Sequence, residues 1–191
     1  MTSVTLNPTL GNHIMNTSSY QSNSYDGFAT PSIGLSGGIT RRGILKFTLP
    51  ETPILTTATL SIMSQSNIGS QTYYVWRLLR PVTNGATWLQ YASGYYWATY
   101  GGMGTGDIDP TALGSVTTAG TTNTFFDIPL NTAEVKKLTD GTYTNYGFLV
   151  SSTESTVVLT YYNYNNATVG YRPKLYLEYY QSMGYPKIVM Y

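Results

Sequence analysis

Residues 41–62, RRGILKFTLPETPILTTATLSI, decide the fold. They contain two segments in which side chains alternate between two faces, with the period of two that a β-strand imposes. In the second segment Ala58, Leu60 and Ile62 alternate with threonine and serine residues. Each segment therefore predicts a strand with a face to bury, and together they favour a β-sandwich module over an enzyme.

Short runs of β-branched and aromatic residues recur along the chain between clusters of Gly, Asn, Ser and Pro, which is typical of a sandwich or jelly roll. Residues 132–138, TAEVKKL, predict one short helix, since Asn131 or Thr132 would cap it and lysines follow near its end. We predict an all-β, jelly-roll-like antiparallel β-sandwich in a single domain over residues 1–180. The predicted strands lie near residues 2–6, 12–15, 32–35, 43–49, 57–64, 72–79, 124–128, 146–151, 156–163 and 173–180.

The composition limits the partners of the chain. Only 10% of its 191 residues are charged, against about 25% on average, and the net charge is +1. Its Lys/Arg clusters are no larger than pairs, so we expect no nucleic-acid partner, because a stripe that neutralises phosphates is missing. No apolar run approaches the ~20 residues of a membrane span, so we expect no membrane insertion. Thr, Ser, Asn, Gly and 19 tyrosines would cover the surface, as they do in binding loops.

Residues 81–122 are the longest stretch without clear strand character. Connections of this length are usually functional or pack on themselves. The aromatic side chains here either stand outward as a platform or fold inward as a minicore over one edge of the sandwich. Large aromatic side chains are mostly buried, which favours the inward arrangement for the two tryptophans. The aromatic residues of the stretch are Trp88, Tyr91, Tyr95, Tyr96, Trp97 and Tyr100.

Three groups of residues carry a resemblance to a known family: Ala86-Thr87-Trp88 followed by Trp97 and Gly101-Gly102, Asn145-Tyr146-Gly147 before one strand, and Arg172-Pro173 before the last. In this order they resemble the DNRLRE domain family over roughly residues 6–180. That family consists of β-sandwich modules, some of which are carbohydrate-binding modules for acidic polysaccharides such as alginate. The resemblance implies a sandwich that binds and does not catalyse.

A sugar site would use aromatic rings, because the C–H faces of sugars stack on them and polar groups nearby hold the hydroxyl groups. The long aromatic stretch offers such rings. The candidate glycan-binding residues are Trp88, Tyr95, Tyr96, Trp97 and Tyr100.

Asp107 and Asp109, in the segment GDIDP, are candidate calcium ligands, because calcium takes several carboxylate and carbonyl oxygens from one loop. A turn is the alternative that we favour, since Asp hydrogen-bonds its own backbone there. His13 is the only histidine and there is no cysteine, which leaves little scope for a nucleophile with a histidine base. The carboxylates give no sign of the pairing that glycoside hydrolysis needs, so we predict that the protein is not an enzyme.

Residues 181–191 continue past the last predicted strand and end in apolar side chains. An apolar terminus needs a partner, either an edge of its own sandwich or a neighbouring subunit. We predict that this tail docks on another chain. The candidate docking residues are Tyr185, Ile188, Val189, Met190 and Tyr191.

The N-terminus lacks the basic start and apolar run of a secretory leader, although members of this family normally occur in exported multidomain proteins. Leaderless, cysteine-poor and weakly charged β-modules are typical of virus particles. We therefore predict a phage head-decoration or fibre-type protein at the virion surface, which binds a capsid or tail lattice and host glycans as a homo-oligomer such as a trimer. The alternative is a carbohydrate-binding module of an extracellular polysaccharide-degrading or cell-surface protein.

Overall fold

A computed structural model describes residues 1–52, 54–66, 69–118, 121–153 and 157–181. Its regular structure is mostly antiparallel sheet, with 44% of the residues in strands and 6% in helix, which confirms the predicted all-β sandwich. One helix, α1, spans Thr132–Thr139. In chain order the strands are β1 Thr2–Leu6, β2 Leu10–Met15, β3 Ser32–Ser36, β4 Ile39–Lys46, β5 Ile54–Met63, β6 Gln71–Arg77, β7 Gln90–Ala92, β8 Tyr95–Tyr96, β9 Gly114–Thr118, β10 Phe125–Pro129, β11 Phe148–Ser152, β12 Val158–Thr160 and β13 Lys174–Tyr180.

The strands form a small sheet, a large sheet and a short ribbon. The small sheet has the order β1-β13-β5-β10, and the large sheet has the order β12-β3-β4-β11-β6-β9, with β2 also paired to β4. Strands β7 and β8 form the ribbon. The first and last strands are neighbours, with Thr2 opposite Tyr179, so the small sheet joins both ends of the described chain. No helix in the described ranges has the length and apolar character needed to cross a membrane.

The inner faces of the two sheets enclose the main core. In β5, Ala58, Leu60 and Ile62 are buried in this core, which confirms the alternation that the sequence predicts for the strand. The opposite sheet contributes Leu45 from β4, and helix α1 adds Val135. Alternate residues of strands such as β5 thus face the other sheet, as the pleat of a β-strand requires.

Strand β4 is buried on both of its faces at residues 43–45. Leu45 belongs to the main core, whereas its neighbour Ile44 faces the other way and belongs to a second core on the outer face of the large sheet. The long segment between β6 and β9 covers this face. The expected minicore therefore exists, but it lies on the face of a sheet and not at an edge of the sandwich. Its buried members are Leu10, Ile14, Ile44, Leu78, Val82, Ala86, Trp97, Ile108 and Leu149.

The predicted helix is confirmed and extends one residue further, to Thr139. Its cap is Asn131, whose side-chain oxygen accepts hydrogen bonds from the backbone N–H groups of Ala133 at 3.0 Å and Glu134 at 3.3 Å. These bonds satisfy donors that the first turn of a helix leaves unpaired. The strand predicted near residues 43–49 begins at Ile39 and ends at Lys46, and β9 lies in a segment for which we predicted no strand.

Tyr161 is fully buried in the main core, and its hydroxyl group has no hydrogen-bond partner among the described residues. Gly43 of β4 makes room for this group, because a Cβ atom at position 43 would lie 2.8 Å from the hydroxyl oxygen. A hydroxyl group buried without a partner costs about 1 to 3 kcal/mol. We therefore expect Tyr161→Phe to raise the free energy of unfolding, measured in urea, by about 1 kcal/mol.

Tyr73→Phe is the matched control for this variant. Tyr73 is equally buried, but its hydroxyl group accepts a hydrogen bond from the side-chain amide of Gln71. Loss of that bond is expected to lower the free energy of unfolding by about 1 kcal/mol. If both variants lose stability to the same extent, the Tyr161 hydroxyl group has a partner and our interpretation is wrong.

Candidate functional site

The segment between β6 and β9 contains residues 81–113, which we call the aromatic loop. Three side chains hold this loop in place, and we call them its anchors. Trp97 is the first anchor. Trp97 is only 3% exposed and belongs to the second core. Its Nε1 donates a hydrogen bond to the carbonyl oxygen of Thr87 at 2.9 Å, and Tyr91 makes an edge contact with its ring at 5.6 Å between centroids. The inward arrangement is therefore correct for Trp97, and the prediction that it offers a stacking face to a sugar is wrong.

Asp107 is the second anchor, and it is fully buried. Its carboxylate accepts hydrogen bonds from the backbone N–H groups of Ala98 at 2.8 Å, Thr99 at 2.9 Å and Gly104 at 3.2 Å. The Nε of Arg80 lies 3.6 Å from the same carboxylate. A buried charge requires such donors and a counter-charge, and together they fix the backbone of residues 98–104 around one side chain.

Arg42, from strand β4, is the third anchor. Its Nη1 donates a hydrogen bond to the carbonyl oxygen of Gly101 at 2.7 Å, and its guanidinium carbon lies 4.7 Å from the centroid of the Trp88 ring. Gly101 has a φ of 86°, and a Cβ atom there would lie 2.6 Å from the Trp88 ring. Glycine is thus required for this close approach, and Trp88 is half-buried beneath the arginine.

Three tyrosines of the aromatic loop are exposed: Tyr95 by 62%, Tyr96 by 58% and Tyr100 by 57%. Tyr95 and Tyr96 form strand β8, which pairs with β7 of the ribbon. The ring of Tyr91 lies 5.9 Å from the ring of Tyr95 and 5.8 Å from the guanidinium carbon of Arg80. Of the five candidate glycan-binding residues, the structure therefore leaves these three tyrosines exposed, half-buries Trp88 and buries Trp97.

The two candidate calcium ligands have different hydrogen-bond partners. Asp107 binds loop N–H groups, whereas Asp109 accepts a hydrogen bond from Nη2 of Arg77 at 2.6 Å and another from the backbone N–H of Thr111 at 3.2 Å. Partial burial acts to raise the pKa of Asp109, but the hydrogen bonds from Arg77 and Thr111 outweigh it and lower the pKa. The bond from Thr111 is of the kind that a turn predicts.

A group of three or more His, Asp or Glu side chains placed to hold a metal does not occur in the described ranges. Calcium binding stays a prediction. The candidate docking residues Tyr185, Ile188, Val189, Met190 and Tyr191 lie outside the described residues, so docking of the tail stays a prediction as well.

Neither a family model nor a characterised protein matches this chain. The resemblance to the DNRLRE domain family therefore stays a prediction that depends on the sequence motifs. The structure gives the first of the three groups a local role, because Trp97 anchors the aromatic loop and Gly101 admits Arg42 against Trp88.

Proposed function

We propose that the protein is a non-enzymatic glycan-binding module whose aromatic loop contacts the sugar. The observation that carries this proposal is the exposure of Tyr95, Tyr96 and Tyr100 on one short part of that loop. An exposed ring adds little to the stability of a fold, so several exposed large rings close together in sequence are informative. Tyrosine offers a large contact area at a low cost in conformational entropy, together with a polar hydroxyl group.

The three anchors support this proposal because they fix the loop before a ligand arrives. Trp97 holds the ribbon side of the loop, Asp107 holds the turn at residues 98–104, and Arg42 holds Gly101, next to Tyr100. Ordering a loop during binding costs free energy, and a loop that is already ordered avoids much of this cost. A rigid support under exposed rings is what a binding site requires.

The positions of the two carboxylates on the outer face of the small sheet favour binding without hydrolysis on that face. Asp127 and Glu178 lie on the outer face of the small sheet, on either side of strand β5. Asp127 pairs with Ser61 of β5 and Glu178 pairs with Thr57, so their partners are four residues apart. At about 3.4 Å per residue this places them roughly 14 Å apart along the strand. Glycosidases hold their two carboxyl groups about 5 to 9.5 Å apart. The single histidine, His13, is buried and so is out of reach of a substrate.

Single substitutions of the exposed tyrosines test the proposal. We expect Tyr95→Ala, Tyr96→Ala or Tyr100→Ala to weaken binding by about 1 to 3 kcal/mol for each ring that stacks, on the scale of aromatic stacking on bases. This corresponds to about a five- to 150-fold increase in Kd. Affinity electrophoresis in gels that contain neutral or acidic polysaccharides identifies the ligand, and calorimetry with its oligosaccharides gives Kd.

Tyr20→Ala is the matched control, because Tyr20 is half exposed but lies outside the aromatic loop. It should leave Kd unchanged. If all three loop variants unfold at the wild-type temperature and bind as tightly as Tyr20→Ala, the loop is not the site. Failure of the wild-type protein to bind any polysaccharide of the panel would reject glycan binding itself.

Location at a virion surface, binding to a capsid or tail lattice and assembly into a trimer remain predictions from the sequence. An extracellular location remains their alternative. Glycan binding through the aromatic loop fits either location, since fibre-type surface proteins and carbohydrate-binding modules both meet polysaccharides.

A further inference from the structure

The outer face of the small sheet carries a groove of about 380 Å³, within the range of about 300 to 1,000 Å³ that is usual for ligand pockets. All four strands of the sheet contribute to its lining, which we call the sheet groove. Most of the lining side chains are threonine or serine, and the others are Asp127, Lys174 and Tyr176. The groove is separate from the aromatic loop, which packs on the outer face of the large sheet.

The strand pairing arranges the groove in three rows, with Tyr176 in the middle. Neighbouring rows are two residues apart, or about 7 Å along the strands, and neighbouring strands lie about 4.8 Å apart. The middle row is Thr5, Tyr176 and Thr59, and one outer row is Lys174, Ser61 and Asp127. The other outer row is Thr57 and Glu178, of which Glu178 borders the groove and is not part of its lining.

The hydroxyl groups of the groove donate to Asp127, which belongs to its lining, and to Glu178, which borders it. Glu178 accepts hydrogen bonds from the Tyr176 hydroxyl group at 2.6 Å and from Thr57 Oγ1 at 2.8 Å, and Asp127 accepts one from Ser61 Oγ at 2.5 Å. The bond from Tyr176 is the main cause that lowers the pKa of Glu178, which keeps this carboxyl group ionised. Each carboxylate has further lone pairs, so the groove presents many acceptors.

Lys174 supplies the positive charge of the groove. Its ammonium group lies 4.6 Å from the centroid of the Phe125 ring, and its backbone pairs with Ser61, which in turn pairs with Asp127. Asp127 and Lys174 balance within the lining, and Glu178, which borders it next to Thr57 and Tyr176, makes the net charge of the three rows negative. A ligand that carries its own negative charges is disfavoured on this face, because like charges repel.

We propose that the sheet groove is a second glycan site, and that it takes neutral sugars. Sugar hydroxyl groups can donate to Asp127 and Glu178 and accept from Lys174, while a C–H face of the ring stacks on Tyr176. The same arrangement rejects uronic acids and sulfated sugars. The inference goes beyond the function proposed for the aromatic loop, since it names a different face, different residues and a ligand class set by charge.

Matched ligands test this inference: neutral hexose oligosaccharides of several linkages, and oligouronates of the same lengths, each titrated calorimetrically into the full chain. Wild-type protein should bind at least one neutral oligosaccharide in the sheet groove. Tyr176→Ala should weaken that binding about five- to 150-fold, whereas Tyr180→Ala, at the end of the same strand and outside the groove lining, should leave it unchanged. Tyr95→Ala should also leave it unchanged, which separates this site from the aromatic loop.

Asp127→Asn is a second variant, chosen because it removes only a charge from an exposed side chain. Loss of a charge-assisted hydrogen bond should weaken neutral-sugar binding about tenfold or more. The inference is overturned if no neutral oligosaccharide binds, if oligouronates compete equally for the site, or if folded Tyr176→Ala and Asp127→Asn proteins both bind as the wild type does. Loss of binding in Tyr95→Ala alone would assign the sugar to the aromatic loop and also overturn it.

Discussion

Asp107→Ala is expected to lower the free energy of unfolding, measured by urea denaturation, by about 3 to 5 kcal/mol. The substitution leaves the backbone N–H groups of Ala98, Thr99 and Gly104 without their acceptor. It also removes the carboxylate beside Arg80. Unpaired buried donors cost about 1 to 3 kcal/mol each. We expect the loop to open and expose Trp97, which lets water reach these N–H groups and keeps the loss of stability below the sum of the three costs.

Asp109→Ala is the control for this prediction, since Asp109 is two residues away and its side chain is 24% exposed. Its ion pair with Arg77 is partly solvated, so we expect a loss of about 1 kcal/mol. Equal stability of the two variants would contradict the role of Asp107 as the main polar anchor of the loop.

Acidification from pH 7 to pH 5 is expected to lower the free energy of unfolding by about 2 kcal/mol, because of His13. His13 is almost wholly buried, its ring stacks on Tyr25 at 4.5 Å between centroids, and its Nδ1 has no partner within the described ranges. Burial, and then the charge of Arg41, lower the pKa of His13 from 6.5 to about 4. The folded protein therefore holds His13 neutral.

The direction of this pH effect follows from the two pKa values. As the pH falls, the unfolded chain takes up a proton near pH 6.5, whereas the folded chain does so only near pH 4. The contribution of His13 to the free energy of unfolding is thus fully present above pH 6.5. It decreases as the pH falls from 6.5 to 4, and below pH 4 the free energy of unfolding is lower by about 3 kcal/mol. His13 is the only histidine, and ordinary carboxyl groups titrate mainly below pH 5.

Urea denaturation at pH 7, 6 and 5 checks the prediction, with His13→Phe as the variant that keeps an aromatic ring against Tyr25. The wild-type stability should fall with pH and the variant stability should stay nearly constant. A wild-type curve that is flat over this range, or a variant curve with the wild-type slope, would show that His13 is not held neutral by the fold.

The sequence predicts those elements whose signals are local. Strand β5 is recognisable because Ala58, Leu60 and Ile62 alternate with polar residues, and helix α1 because Asn131 caps it. Strand β9 has the short sequence GSVTT within a glycine- and threonine-rich segment. Its pairing with β6, opposite Tyr73–Val75, identifies it as a strand, and pairing between distant segments is not encoded locally.

Burial in the aromatic loop is the part that the sequence could not predict. Tyr96 and Trp97 are adjacent and both aromatic, yet one is exposed and the other is buried. The difference arises from tertiary contacts, because Trp97 meets the second core and the carbonyl oxygen of Thr87. The burial of Ile44 in β4 could not be predicted either, because the alternation of side chains does not reveal that a loop covers the outer face of the strand. One local signal was present: Gly101 follows aromatic residues, and a glycine in such a place can mark a close approach of the backbone to another group. Here that group is the Trp88 ring.

The role of Asp107 also depends on contacts that the sequence does not reveal. In the segment GDIDP, Asp107 and Asp109 look equivalent as calcium ligands or turn residues. The structure buries the first among loop N–H groups and pairs the second with Arg77. Two chemically identical side chains two residues apart thus differ in function because the backbone around them differs.

The central claim is that the exposed tyrosines of the aromatic loop bind a glycan, and amide chemical shifts measured during an NMR titration test it most directly. The ligand is an oligosaccharide of the polysaccharide that the protein retains in affinity electrophoresis. Our account predicts that the largest shift changes occur at Tyr95, Tyr96, Tyr100 and their neighbours, and that they saturate with the calorimetric Kd. Saturating shift changes that leave residues 90–101 unaffected would contradict it.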